Sequence, residues 1–275
     1  SALSFSLMTV CVKHLQGRLP VTEIVFSRAL ISLLITRFML YKNEIDPWGN
    51  NKKLLFIRGI LGTLALICIF KAIETLPLAS ATIIQYTYPT FTSLAAWILL
   101  KEVMYPQLIW GLLIGWIGII LVAQPKWLTS NGINLPFNYL LIALLGALCT
   151  SLAYICVRKL SETEHPLVII HYFPLISVPL TFPIVLTQGV IPKGIEWIWL
   201  LGIGIFTQIG QIGITKGLGL MPASSATAIN YTQVLFATIW GIVIFSEYLN
   251  KFATLGGILI LTSTLISINS KPKIT

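Results

Sequence analysis

Few side chains in this 275-residue sequence could do chemistry, and their positions restrict what that chemistry is. Arg28 stands about seven residues into an apolar run, roughly 10 Å deep at the ~1.5 Å rise of a helix. An arginine there either runs its stem back toward water or holds a carboxylate or phosphate in its planar fork of donors. His171 and Tyr172 fall early in another run, where a histidine is either a satisfied packing residue or a proton acceptor. Gln85 and Tyr88 are three apart, Gln208 and Gln211 share a helical face continued by Thr215, and Asn230, Tyr231 and Gln233 lie close together. Amides and phenols bind zwitterions or planar rings without fixing net charge, or simply tie helices together. All nine acids, from Glu23 to Glu247, sit at or near the ends of apolar runs, so a carboxylate proton relay is not expected. There is no HExxH, no paired His/Asp cluster and no carboxylate dyad inside the runs. Catalytic residues, a metal site and a cofactor are therefore not expected.

Hydrophobic residues make up 56% of the chain and charged residues 10%, with a mean hydropathy of +0.88. A soluble domain would carry about a quarter of its residues charged. Ten apolar runs approach the ~20 residues that span a bilayer: about 1–16, 21–41, 53–73, 78–100, 105–123, 137–157, 166–188, 195–215, 223–245 and 251–269. They are continuous rather than alternating, which predicts helices and not barrel strands. The first run is short and its counterpart begins near Phe137. The sequence is thus expected to start inside the first helix, with roughly eight or more residues before Ser1, and not with a signal peptide.

The sequence repeats itself at an offset of 145. Cys11-Val12-Lys13 recurs as Cys156-Val157-Arg158, Leu30-Ile31-Ser32 as Leu175-Ile176-Ser177, and Gly59-Ile60 as Gly204-Ile205. Between Lys71–Phe91 and Lys216–Phe236, nine of 21 positions are identical, including Pro77/Pro222, Ser80/Ser225, Tyr86/Tyr231 and Phe91/Phe236. Glu102 meets Glu247, and Gly111 meets Gly256. Each half has five runs, an odd number, so the halves must be inverted relative to one another. That arrangement underlies alternating access and places substrate at the interface of the repeats. The expected fold is an all-α membrane protein of ten transmembrane helices in two inverted five-helix repeats. Residues 1–123 form the first, 124–136 a connecting loop, 137–269 the second, and 270–275 a cytoplasmic tail.

Orientation follows from Lys and Arg. With the N-terminus inside, the inner side receives eleven basic residues, Arg58 among them, and the outer side six; Arg28 is left over. Both termini are therefore expected to be cytoplasmic. The net charge of +9 does not imply nucleic acid, because the basic residues cluster at run ends, facing anionic headgroups. Cys11, Cys68, Cys149 and Cys156 fall within apolar runs without CxxC spacing and read as packing residues.

The run Phe70-Lys-Ala-Ile-Glu-Thr-Leu-Pro-Leu-Ala-Ser-Ala-Thr, then Tyr88-Pro-Thr-Phe and Leu99-Leu-Lys-Glu102, resembles the EamA repeat of the drug/metabolite transporter superfamily. Leu220-Met-Pro-Ala-Ser-Ser-Ala-Thr through Phe245-Ser-Glu247 repeats it. Arg58-Gly-Ile-Leu-Gly62 and Phe91-Thr-Ser-Leu-Ala-Ala-Trp97 look like the G branch of the solute-carrier 35 family and its bacterial relatives. The resemblance implies a carrier of small metabolites, with the first four helices of each repeat around a cavity and the fifth and tenth at the back. Gly111, Gly115 and Gly118, and Gly256-Gly257, suit close packing of those two helices.

Pro89 in the fourth run frees the carbonyl of Gln85 and predicts a kink, whereas its counterpart is Val234. Pro174, Pro179 and Pro183 in the seventh run predict bends, or a gate that flexes more than the second helix. Pro77 and Pro222 are expected to start helices. Glu102 and Glu247 are expected to cap the following helix or to bond across the halves in a gate. The function read from the sequence is alternating-access transport of a small polar metabolite, an amino acid or organic anion. A larger planar or nucleoside-type solute such as S-adenosylmethionine, or a channel-like pore, is the alternative. The expected setting is a bacterial inner (plasma) membrane, as a monomer or homodimer, with substrate and lipid as partners and no nucleic acid.

Overall fold

The computed structural model describes residues 1–15, 17–75, 85–103, 105–123, 137–245 and 251–269. Among them are eleven helices: α1 (Ala2–Leu15), α2 (Val21–Lys42), α3 (Lys52–Thr75), α4 (Tyr88–Leu100), α5 (Pro106–Ala123), α6 (Phe137–Leu160), α7 (Pro166–Gln188), α8 (Glu196–Leu220), α9 (Ala223–Ile229), α10 (Thr232–Phe245) and α11 (Lys251–Asn269). The connecting loop 124–136, the tail 270–275, Pro77 and Glu247 lie outside the described residues. Prolines set several helix starts, as a fixed φ and a missing N–H allow. Pro106 and Pro166 open α5 and α7, while Pro20 and Pro222 stand just before α2 and α9. Four of the described helices are long and apolar enough to cross a membrane, Val21–Lys42, Leu141–Leu160, Pro166–Gln188 and Glu196–Leu220.

The chain divides into two compact units that do not follow the repeats. One takes Ser1–Thr63 with Cys156–Leu220, and the other Leu64–Ile155 with Met221–Thr275. Each therefore draws on both halves of the sequence. In the first unit α2 packs on its counterpart α7, and α8 packs on α1 and α2. In the second, α5 packs on its counterpart α11, and α4 on α9.

Within the first unit the packing is reciprocal. Gly59 of α3 faces Ile176 of α7, and Gly204 of α8 faces Ile31 of α2. Replacing each residue by its counterpart, 59 by 204 and 176 by 31, turns one pair into the other, as a local two-fold relation requires. Both contacts are too close for a side chain; a Cβ on Gly59 would also stand 2.8 Å from the Tyr172 carbonyl oxygen. The glycine-rich pair in the second unit behaves as the sequence implies. A Cβ on Gly118 would meet the Gly256 carbonyl oxygen at 2.8 Å, and Ser263 donates to the Gly111 carbonyl at 2.6 Å.

Two features differ from a reading of ten unbroken spans. The ninth run breaks at Asn230–Tyr231, between α9 and α10, and the fourth turns at Tyr86–Thr87 before α4. Pro89 explains the second, since the Gln85 carbonyl has lost its donor. No proline accompanies the first. There the backbone tightens instead, with Asn230 N donating to Thr227 and Tyr231 N to Ala228, three residues back rather than four. Conversely α7 runs unbroken through Pro174, Pro179 and Pro183.

Gly59→Ala should therefore destabilise the protein by ~1–3 kcal/mol, the usual scale of overpacking, and Ile176→Ala should recover part of the loss. Gly217, on α8 with nothing within 4 Å of a built Cβ, is the control. Its replacement by alanine should leave the melting temperature unchanged or raised. Equal losses at both positions would show that crowding is not what fixes glycine at 59.

Candidate functional site

The first unit buries a set of polar side chains within its apolar core and leaves many large apolar ones exposed. On α2, Arg28, Ser32 and Thr36 recur every fourth residue and are buried, while Leu34 and Phe38 are exposed. On α8, Thr207, Gln208 and Thr215 are buried, and Trp197, Ile198, Leu201, Ile205 and Ile209 face outward. On α7, His171, Ser177 and Thr181 are buried below exposed Leu180, Phe182 and Leu186. A water-soluble protein does the reverse; this pattern suits a shell of lipid around a polar interior.

The interior groups are joined across the halves. Ser32 donates to Gln208 Oε1 at 2.6 Å. The Thr36 hydroxyl donates to the Ser32 carbonyl at 2.7 Å and lies 3.2 Å from His171 Nδ1. A Thr36 hydroxyl that donates to Ser32 can accept from Nδ1–H, and in that tautomer Nε2 is the basic nitrogen. Gln208 Nε2 and the hydroxyls of Ser177, Thr207 and Thr215 are buried without a hydrogen-bond partner among the described residues. Such groups call for water or a ligand.

Two arginines meet one ring here. Arg28, 8% exposed, lies with its guanidinium carbon 5.7 Å from the Phe173 centroid, and Arg58, 3% exposed, lies at 5.2 Å. Both are within the ~6 Å range of a cation–π contact. Arg28 thus does not extend to the surface. Arg58 also donates to Gln211 Oε1 at 3.4 Å. The sequence reading sorts Arg58 with the inner-surface charges, and the structure corrects this by burying it in the site. The signal that could have found it is Arg58-Gly-Ile-Leu-Gly62 itself. Gly59 lets α3 close on α7, and a Cβ on Gly62 would stand 2.9 Å from the Phe173 ring and 3.2 Å from Arg58 Nη1.

The two buried carboxylates of this unit, Glu23 and Glu164, are committed elsewhere. Glu164 accepts from Asn50 N at 2.8 Å and Asn51 N at 2.6 Å, and Glu23 accepts from Val190 N at 2.8 Å. Tyr172 donates to the Trp48 carbonyl at 2.7 Å, so its hydroxyl grips a loop and does not join the histidine. Between these two clamps lies Gly49 at φ +60°. Its counterpart Gly194 adopts the same left-handed turn, at φ +53°, with nothing within 4 Å of a built Cβ.

The remaining candidates fall in the second unit. Tyr86, Tyr88 and Tyr231 are buried and pack with Tyr154 and Trp116 around the two helix breaks. Asn230 hydrogen-bonds Tyr88, and Thr90 accepts from Trp116 Nε1 at 2.7 Å. Gln85 and Gln233 are half-buried. These rings fill one another's space, so the cluster reads as a tie across the breaks. Pro89 is buried beside it. Glu102 is held in place by Lys101, whose left-handed φ of 55° ends α4, and accepts from Ala223 N at 3.0 Å. It therefore joins the halves at the start of α9.

The comparisons with known proteins agree with this architecture. The model of the EamA-like transporter family matches twice, over residues 1–124 and 137–269. The chain belongs to that family, whose members are integral membrane proteins. Among its relatives is the pseudopaline exporter CntI of Pseudomonas aeruginosa, 28% identical over 96% of this chain and 92% of the exporter. Another is an uncharacterized transporter of Helicobacter pylori, 30% identical over 96% and 90%. Human solute carrier family 35 member G1 is 29% identical over 94% of this chain and 74% of its own length. A crystal structure aligns over 97% of this chain and 93% of its own, with a TM-score of 0.83 and 17% identity, a likeness of fold.

If Glu164 and Tyr172 clamp the loop at 48–51, then Glu164→Gln and Tyr172→Phe should each loosen it by ~1–2 kcal/mol, the scale of a hydrogen bond with a charged or buried partner. Hydrogen exchange at the amides of Asn50 and Asn51 should quicken about tenfold in Glu164→Gln. Unchanged exchange there would remove the clamp.

Proposed function

We propose that this protein is an alternating-access carrier that moves a small organic anion, or an amino acid held by its carboxylate, across a bacterial plasma membrane. Ten spans in two inverted repeats, with both termini cytoplasmic, supply the rocking architecture. The chain works as a monomer or homodimer, without a cofactor and without covalent chemistry. The observation that carries this reading is the charge of the buried site. Arg28 and Arg58 share the Phe173 ring, with Gln208 and Gln211 alongside, while Glu23 and Glu164 spend their charge on backbone N–H groups. Guanidinium groups only donate, and their fork matches the geometry of a carboxylate. Desolvation inside the bundle strengthens that pairing. Exporters and carriers among the relatives support the class of activity.

Transport by such a site is a cycle in which the anion neutralises part of the arginine charge while both ends are closed. His171, bonded through Nδ1 to Thr36, offers Nε2 to a proton that travels with the anion or to a hydroxyl of the solute. The tyrosine cluster of the second unit keeps the broken helices in register during the motion.

The test is saturable counterflow in proteoliposomes, with each acid measured against its neutral amide. Arg28→Lys keeps the charge but loses the fork, and should weaken acid binding by ~1–2 kcal/mol. Arg28→Gln should weaken it further and abolish the preference for acid over amide. Affinity indifferent to both changes, in protein that melts normally, would defeat the anion reading. Unsaturable flux would point to a pore instead.

A further inference from the structure

Arg28 and Phe173 are themselves 145 residues apart, so the arginine packs against its own counterpart in the other repeat. Two counterparts that touch lie at the local two-fold axis, the place that an inverted-repeat carrier presents to both faces in turn. The repeat carries a cation on one side of this axis and a benzene ring on the other. The same asymmetry holds one helix away, where the counterpart of Arg58 is the buried, apolar Ile203. The first half thus supplies both charges, and the second supplies the surface on which they rest.

We propose that Phe173 is a positioning residue for anion recognition, holding Arg28 and Arg58 at the separation one aromatic ring dictates. This inference rests on the anion reading given above. Two guanidinium groups brought together in a desolvated interior repel, and each has long, rotamer-rich arms that would carry it away. A ring whose faces are negative and whose six carbons cannot bend opposes both tendencies. Phe173 is itself fixed: it is buried, and Gly62 gives it room against α3. The ring need not touch the solute. It sets where the donors stand before the solute arrives, so its removal should cost affinity for anions and leave neutral analogues alone.

The experiment uses the full chain in detergent, labelled with 15N-arginine, and two probes, succinate and its neutral isostere succinamide. In the native protein the Nε–H resonances of Arg28 and Arg58 should be displaced by the ring current of Phe173. Phe173→Leu, which keeps apolar bulk, should return both toward ordinary positions and weaken succinate about tenfold, the scale of a desolvated cation–π contact. Succinamide should bind as before. Phe173→Trp should restore succinate to within about threefold. Gly62→Ala, which retains every group but displaces the ring, is the second variant should Phe173→Leu not fold, and should shift the same resonances. Resonances unmoved by the loss of the ring, or moved without any change in succinate affinity, would overturn the proposal. A native protein that binds succinate and succinamide equally would overturn the anion reading and with it the purpose assigned to the ring. The resonances still decide the geometry separately.

Discussion

Where Gly59 faces Ile176 and Gly204 faces Ile31, a hydrogen stands in place of a side chain, and the helices of the first unit close to a distance at which their polar stripes can bond. The Ser32–Gln208 hydrogen bond lies next to one of these contacts, and the stacking of Arg58 on Phe173 lies next to the other. Widening either crossing by a methyl group would strain those interactions, because packed interiors transmit displacement and do not absorb it. Small residues at helix crossings are the general means of close approach where lipid offers no hydrophobic drive. Here they do more, since they decide how far apart the buried donors stand.

The second unit answers the same problem differently. Its helix breaks expose backbone groups that a continuous helix would have paired, and exposed backbone is costly away from water. Tyrosines at 86, 88 and 231 surround the breaks, and bonds such as Tyr88 to Asn230 cross from one repeat to the other. Glu102 meets the first N–H of α9 in the same spirit. A negative charge at a helix start is favourable, and the left-handed turn at Lys101 aims it there.

Much of this was legible in the sequence. The motifs between Phe70 and Glu102, repeated at an offset of 145, led to the family, and the glycines of α5 and α11 to the close packing observed. The site was legible only in part, for reasons that are physical. Arg58 lies near the end of a run, where sequence alone cannot tell a charge facing headgroups from one turned inward. Phe173 attracts no notice in an apolar stretch, because aromatic and packing uses look alike until a cation is seen over the ring. Tyr172 adjoins His171 in sequence, yet successive helical residues point about 100° apart, so the pair diverges. The break at Asn230 was hidden because no proline marks it; a turn of three-residue hydrogen bonds has no compositional signature. By contrast, the spacing of Arg28, Ser32 and Thr36 was there to be read as one polar stripe.

The two left-handed turns at Gly49 and Gly194 are alike in backbone but unlike in company, one gripped by Glu164 beneath the Tyr172–Trp48 bond and the other open. In a carrier that exchanges two related conformers, such a difference makes the two resting states unequal in free energy and the two half-cycles unequal in rate. It cannot, however, make the cycle run one way. A passive carrier obeys detailed balance, so in one a latch of this kind would govern how long the protein waits on each side and how its half-saturation differs between the faces. Net flux still follows the gradients of the solute and of any ion that moves with it.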